Sequence, residues 1–433
     1  MTGFRKIGNG LDRLRSAALD LVDRFSGAGP WHDGDRIAGD GKNVGIAFLG
    51  CGFVADFYAL NLKLHENLRL AGSYDRDEVK CRHFCSVHGG RQYGSLEEML
   101  GDKSVEIVVN LTNPSQHFVT TKAALEAGKN VYCEKPLATS IEDAAELIRI
   151  AKHQGVQLSG APCISLAPSL QAFCSAIREG LIGQPRLVYA ELDDGPIHLM
   201  DPGSWESPNG MSWPWRDEFQ TGCTMEHAGY HLAWMTKLFG QAESVTAFAA
   251  CTVPDKHPDL PADAVAPDVS IASITFQSGV IARMSCSILA PPDHSVRVIG
   301  DLGVLSLDNI WHSKCAMRLQ RYNSITMRAQ SYDWIRRHSV ARWIFGVGGK
   351  RLAASPRVTW RQKIRRHDMD YALGIADLAN ALSSGREPAL SGDALLHVTE
   401  LTLAIASSAT ANKAIILATA QGKAQAADAL PNF

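Results

Sequence analysis

From residue 44 onward, apolar residues come in short unbroken runs separated by stretches in which they recur every three or four positions. The runs are Val44 to Leu49, Leu68 to Tyr74, Val105 to Leu111, Asn130 to Cys133 and Gln157 to Ala161. Runs of this kind predict strands buried on both faces, and the amphipathic stretches between them predict helices laid over a parallel sheet. Ser140-Ile-Glu-Asp143 predicts a capping box for a helix that ends near Gly155. The second half has another texture. Arg186 to Leu192, Val245 to Ala250, Val269 to Phe276, Val280 to Leu289 and Ser295 to Ile299 are β-rich. Gln277-Ser-Gly279 predicts a hairpin and Gly300-Asp-Leu-Gly303 a tight turn, so this sheet is expected to be largely antiparallel. Its open face needs a cover, from the first domain or from another subunit. Met369 to Leu382 and Ala394 to Ala411 predict helices that return to the body.

The pattern divides the chain into an extension (1–42), a domain with a Rossmann-type parallel sheet (43–163) and a second α/β domain with a large, mostly antiparallel open sheet (164–433). In the extension, Leu11, Leu14, Ala17, Leu21, Val22 and Phe25 fall at helical spacing. They predict a helix packed on the body or on a second subunit, with a membrane-surface helix as the alternative. Residues 324–367 form a basic insertion, in which eleven arginines and lysines interleave with Trp334, Trp343, Ile344, Phe345 and Trp360 while Asp333 is the single acid. A solvated brace for an oligomer is the first reading, and contact with anionic lipid or a phosphorylated substrate is the second.

A length of 433 residues with 45% hydrophobic and 20% charged residues fits a two-domain globular chain. The formal charge of −2 argues against nucleic acid as a partner of the whole chain. Ten cysteines without a C-x-x-C pair, most in apolar surroundings, fit reduced thiols and a cytoplasmic location. No uninterrupted apolar run approaches the roughly 20 residues a membrane span needs, and Met1 to Gly10 lacks the apolar core of a signal peptide.

The chemistry begins at Gly50-Cys-Gly52-Phe53-Val54-Ala55, between the first strand and its helix. Gly50 permits a tight turn, Gly52 admits a pyrophosphate close to the backbone, and Ala55 lets the helix pack tightly, while the helix N-terminus offers free N–H groups to the anion. Asp75 ends the second strand, where it suits the ribose hydroxyls of NAD or merely caps a turn. Arg76 beside it keeps NADP open.

Gly50-x-Gly52-x-x-Ala55, Asn113-Pro114-x-x-His117, Glu134-Lys135-Pro136 and the segment Trp215-Arg216 to His231 together resemble the glucose-fructose oxidoreductase / inositol dehydrogenase / MocA family. The resemblance runs from about Val44 to the C-terminus, apart from the basic insertion. It implies a nucleotide-binding domain joined to an open-sheet domain, with substrate between them. It also implies that Lys135 meets both the substrate hydroxyl and the nicotinamide region, and that the turn at Glu134 and Pro136 holds a cis peptide. Thr112, Asn113, His117, Glu134 and Lys135 belong to the implied cofactor site. His231 falls at the family's histidine, which accepts the hydroxyl proton during oxidation and returns it on reduction.

The family's aspartate four residues earlier is His227 in this chain. Two imidazoles four apart share a helix face, and protonating one disfavours protonating the other. Glu226 lies about 100° away around the helix and is not expected to substitute. His227 is then a hydrogen-bonding partner of a sugar hydroxyl, half of a relay, or simply buried. A zinc site at His-x-x-x-His has no third ligand in view, so no metal is expected. Arg216, after Trp213 and Trp215, suits a phosphate or carboxylate of the substrate.

The expected protein is an NAD(P)-dependent oxidoreductase of a sugar, sugar nucleotide or cyclitol, assembled as a homodimer or homotetramer. Lys135, His231 and His227 carry the catalysis, and Lys135, Arg216, His227 and His231 bind the substrate. One rival is an epimerase, dehydratase or glycosidase that recycles a bound NAD. The other is a non-catalytic dinucleotide-binding sensor or partner protein.

Overall fold

The computed structural model describes residues 43–312, 315–352 and 369–421. The extension (1–42), the second part of the basic insertion (353–368) and residues 422–433 lie outside the described residues. The first domain is a six-stranded parallel sheet of β1 (Val44–Leu49), β2 (Leu68–Tyr74), β3 (Arg91–Gln92), β4 (Ile107–Asn110), β5 (Asn130–Cys133) and β6 (Leu158–Gly160). Their spatial order is β3-β2-β1-β4-β5-β6. Ile46, Phe48, Ile107 and Val109 are buried on one face, with Ala47, Val108 and Val131 on the other. That two-sided burial explains the unbroken apolar runs. The strand order reverses between β1 and β4, which opens a crevice at the carboxyl ends of those strands. The Ser140 half of the expected capping box forms, with its hydroxyl accepting from the Asp143 amide at 3.1 Å, and Gly155 ends that helix in the left-handed region.

The second sheet contains β7 (Pro185–Asp193), β8 (Ala242–Ala250), β9 (Val269–Phe276), β10 (Ile281–Ser287), β11 (Val296–Gly300), β12 (Gly303–Leu307), β13 (Met317–Arg321), β14 (Lys350–Leu352) and β15 (Ile415–Ile416). Its order is β14-β13-β12-β11-β7-β10-β9-β8-β15, and every neighbouring pair except β7 with β10 is antiparallel. One face packs on the helices Cys223–Phe239 and Gly392–Ala411. The other exposes Phe248, Ile271 and Ile281, the uncovered surface that the alternating pattern predicts. The helix Gly392–Ala411 is long and apolar enough to cross a membrane, but half of it is buried against this body.

The nine-stranded sheet is larger than the five β-rich runs predict, because β12, β13, β14 and β15 have no counterpart among them. The basic insertion, expected as a solvated segment, forms three short helices between β13 and β14: Ser324–Gln330, Asp333–Arg337 and Ser339–Ile344.

Candidate active site at the end of β5

The glycine turn meets the demands of a pyrophosphate site. Gly50 has φ +101°, and a Cβ there would lie 2.7 Å from the Leu111 carbonyl oxygen. A Cβ on Gly52 would meet nothing within 4 Å, so this glycine keeps space open above the chain. Gly52 caps the helix Phe53–Leu62 without a side-chain hydrogen bond, and while the Ala55 amide donates to the Gly52 carbonyl at 3.1 Å, the amides of Phe53 and Val54 are left to meet an anion. Ala55 is fully buried under the turn, and Phe53 and Val54 are half-buried beside it. The Asp75 carboxylate accepts from the Cys51 amide (2.8 Å) and the Asp77 amide (2.9 Å). It therefore holds the glycine turn itself, and each oxygen retains a lone pair for a ribose hydroxyl. Arg76 lies exposed next to it. These residues fit a dinucleotide.

His117 does something other than touch a cofactor. It is buried, with Nδ1 2.6 Å from the Pro136 carbonyl and Nε2 2.8 Å from the Thr112 carbonyl. Two carbonyl acceptors require both ring nitrogens to donate, which only the imidazolium can do. Burial opposes that charge, but the nearby Cys133 and the two carbonyls outweigh it and hold the pKa at about 9. His117 thus staples the Thr112 loop to the Glu134-Lys135-Pro136 turn. Asn113, exposed, donates to Asp217 at 2.7 Å and ties that loop to the helix Trp215–Thr221. Glu134 accepts from the Tyr58 hydroxyl (2.5 Å) and the Lys135 amide (2.9 Å). It too acts as a positioning group. The Lys135–Pro136 peptide is cis, as the resemblance implies.

Lys135 follows β5 and points its ammonium at Glu226, with which it forms a largely buried ion pair. Burial alone would lower the lysine pKa, but the Glu226 charge reverses this and raises it well above its ordinary value. The expectation that Glu226 cannot reach the site is therefore corrected. The first turn of the helix Cys223–Phe239 is enclosed on two sides, so residues 100° apart both face buried partners. Glu226 meets Lys135 from the first domain, while His227 meets Asp194, just after β7.

His227 Nε2 lies 2.9 Å from one Asp194 oxygen, and His294 Nε2 lies 2.6 Å from the other. Burial opposes protonation of His227, yet the charge and hydrogen bond of Asp194 win and raise its pKa. Asp194 is likewise opposed by burial and held below the usual carboxylate range by His227 and His294. His227 Nδ1 is buried with no hydrogen-bond partner among the described residues. Glu218, on the helix Trp215–Thr221, is pushed up to about 8 by burial and by the Glu226 charge. His294 stacks on Trp311 at 3.9 Å between ring centroids, and Tyr230 packs against the same indole at 5.0 Å.

His231 and Arg216 occupy other places than expected. His231 is fully buried, its Nε2 3.0 Å from the Glu191 carbonyl and its Nδ1 accepting from Trp234 Nε1 at 3.2 Å. Those partners specify the neutral Nε2–H tautomer and leave no nitrogen for a substrate. Burial drives its pKa down to about 4. The structure does not turn it toward His227, so the expected two-imidazole face is absent. Arg216 is exposed, stacked on Trp215 (4.6 Å) and bonded to the Asp259 carbonyl (3.2 Å), so it stands apart from the buried cluster. Among the described residues no group of three or more His, Cys, Asp and Glu side chains is arranged to hold a metal ion.

The oxidoreductase family with an NAD-binding Rossmann fold matches residues 44–161, and the GFO/IDH/MocA C-terminal domain matches residues 170–306. The chain belongs to the Gfo/Idh/MocA oxidoreductase family. An uncharacterised oxidoreductase of Synechocystis is 26% identical over 282 residues, covering 62% of this chain and 73% of that one. The trans-1,2-dihydrobenzene-1,2-diol dehydrogenase of Bos taurus is 26% identical over 240 residues, covering 54% and 65%. Two solved structures share the fold. An Agrobacterium radiobacter oxidoreductase in complex with NAD+, L-tartaric acid and magnesium has a TM-score of 0.69 at 18% identity, covering 87% of this chain and 98% of that one. The WlbA dehydrogenase of Bordetella pertussis, in complex with NADH and UDP-GlcNAcA, has a TM-score of 0.64 at 20% identity with the same coverage. In this Gfo/Idh/MocA chain the Rossmann match ends just after β6 and the C-terminal match starts before β7.

Sequence reading missed Asp194, His294 and Glu218. Asp194 and His294 lie on connections, where no periodicity marks a side chain as inward. Glu218 sits within the segment Trp215-Arg216 to His231, where no pattern in the sequence marks it out from its neighbours.

Proposed function

We propose that the chain is an NAD-dependent dehydrogenase or reductase acting on a hydroxyl or carbonyl of a sugar, sugar nucleotide or cyclitol, with Lys135 and His227 as its polar machinery. The observation that carries this reading is a lysine at the mouth of the parallel strands, paired with Glu226, next in sequence to a His227–Asp194 dyad with one ring nitrogen free. Gly50, Gly52, the first turn of Phe53–Leu62 and Asp75 would hold the dinucleotide. When bound, the nicotinamide supplies hydride exchange at its C4 position. The Lys135 ammonium steadies negative charge on the substrate oxygen as it develops. His227 Nδ1 takes the hydroxyl proton in oxidation and gives it back in reduction, and Asp194 stabilises the imidazolium. Because its pKa is raised, His227 keeps the proton that reduction consumes to higher pH than an ordinary imidazole, whereas oxidation gains as pH rises.

The diol dehydrogenase activity of the bovine relative and the UDP-GlcNAcA bound by the Bordetella neighbour support a ring hydroxyl as the reacting group. The uncovered sheet face supports a homo-oligomer. The test starts with native mass spectrometry for a copurifying dinucleotide. Turnover of aldoses, UDP-sugars and cyclitols is then followed with NAD and with NADP. Lys135→Ala and His227→Ala are each expected to lower kcat by about 10²–10⁴-fold. Wild-type turnover in both variants would remove the reading. Product formation without added cofactor, by protein carrying bound NAD, would instead indicate the redox-cycling alternative.

A further inference from the structure

The basic insertion between β13 and β14 is built inside out. Its small core contains Ala329, Ile335 and Ala341, with Phe345 and Val347 packed against them. Its largest apolar side chains face solvent instead: Trp334 is 54% exposed, Val340 66%, Trp343 77% and Ile344 60%. Val340, Trp343 and Ile344 stand at i, i+3 and i+4 on the helix Ser339–Ile344 and so share one face. Ile325 and Met327 are exposed on the neighbouring helix. An ordinary surface does not gather large apolar groups this way.

The charge around them is one-sided. Arg328, Arg336, Arg337, Arg342, Lys350 and Arg351 face a single acid, Asp333, giving residues 324–352 a net charge of +5 in a chain whose formal charge is −2. The four arginines on the helices are exposed. Asp333 spends its carboxylate on Arg336 and Arg337 of its own helix.

We propose that this insertion docks the protein onto an anionic lipid bilayer. Tryptophan places an amphipathic ring at head-group depth. Valine and isoleucine enter the acyl boundary, while arginines bury their stems and keep their guanidiniums among lipid phosphates. A nucleic-acid backbone would use the arginines but leave Val340 and Ile344 in water. A second copy meeting the patch across a two-fold axis would bring two faces of net +5 together. A bilayer satisfies both kinds of side chain. The insertion leaves from β13 and returns through β14, the terminal strand of the nine-stranded sheet, so the patch projects from a sheet edge. The proposal does not depend on the dehydrogenase reading.

The test uses the full chain in flotation with phosphatidylcholine vesicles, with and without about 30% phosphatidylglycerol. Binding is expected only with the anionic lipid, and it should weaken as salt rises from about 0.1 M to about 0.5 M. Quenching of tryptophan fluorescence by brominated lipid, which needs no substitution, should accompany it. Combined Arg328→Gln, Arg336→Gln, Arg337→Gln and Arg342→Gln should weaken partitioning on the order of a thousandfold. Val340→Ser, Trp343→Ser and Ile344→Ser together should abolish the quenching while leaving oligomer mass and dinucleotide binding unchanged. Failure of the full chain to float with anionic vesicles would overturn the proposal. So would vesicle binding that neither set of substitutions reduces, or a serine variant whose oligomer falls apart.

Discussion

Glu226→Gln is the sharpest probe of the site, because it removes the charge but keeps the shape of the group that meets Lys135. The pair is largely buried, with side-chain exposures of 19% for Lys135 and 6% for Glu226. Breaking such a pair from one side leaves a buried charge uncompensated and costs about 3–5 kcal/mol. At about 2–4 °C per kcal/mol, even the lower value shifts the melting temperature by about 6–12 °C. Glu218 limits the loss. Burial and the Glu226 charge hold its carboxyl at about 8. Without Glu226 its pKa falls, and it ionises as a replacement counter-ion. The single variant should therefore sit near 3 kcal/mol, and Glu218→Gln with Glu226→Gln near 5 kcal/mol.

The pH dependence has a definite sign. In the wild type the Lys135 pKa lies above its unfolded value of 10.5, so the pair stabilises fully below 10.5 and fails only at higher pH. In the double variant the two carboxylates Glu226 and Glu218 no longer oppose burial, only the Tyr230 and Glu134 contributions remain, and the pKa is expected to fall below 10.5. Between those two values the unfolded chain binds more protons, so stability must rise with pH. Thermal melts at about pH 7 and about pH 9.5 decide the matter: the double variant should gain stability on the alkaline side, while the Lys135 pair contributes no such gain in the wild type. A Glu226→Gln protein that melts within about 2 °C of wild type, with an unchanged pH slope, would refute the ion-pair account.

Further outcomes follow from the glycine turn and the buried histidines. Gly50→Ala should destabilise the fold, since φ is +101° and the new Cβ would lie 2.7 Å from the Leu111 carbonyl. Gly52→Ala should melt like wild type yet lose at least about tenfold in dinucleotide affinity by titration calorimetry; unchanged affinity would move the pyrophosphate elsewhere. His231→Gln should cost about 1–3 kcal/mol of stability and leave the kcat-versus-pH profile in place, which a catalytic base could not do. Since folding lowers the His231 pKa from 6.5 to about 4, the wild type loses stability as pH falls through that interval, and His231→Gln should flatten the slope in urea titrations. His397, also lowered to about 4, adds a slope of the same sign that His231→Gln leaves in place.

The parallel half of the fold was the more legible because its strands are buried twice over and read as apolar runs without interruption. The strands that escaped notice are short and lie at or near sheet edges. Arg91–Gln92, Met317–Arg321 and Lys350–Leu352 carry the charges that edge strands use against unwanted pairing, and those charges make them look like loops. The site divides along a similar line. Gly50, Gly52 and Lys135 occupy positions set by local chain geometry, a turn or a strand end, and their places were readable. Asp194 and His294 join His227 only through the assembled sheet, which no spacing in the chain encodes.

His227 shows why a residue-by-residue transfer failed while the chemistry stayed plausible. Putting imidazole where the family pattern has a carboxylate exchanges a negative group for one that becomes positive in a cavity already holding the Lys135 ammonium. A low-dielectric pocket does not tolerate two unpaired cations. Two carboxylates from outside that position restore the balance, Glu226 one residue earlier and Asp194 from the end of a distant strand. A third, Glu218, is then in excess and stays protonated up to about 8. What the pocket has to preserve is the sum of its charges. Any residue able to reach the cluster can supply one, and for that reason Glu226, dismissed on helical geometry alone, proves to be the partner of the lysine.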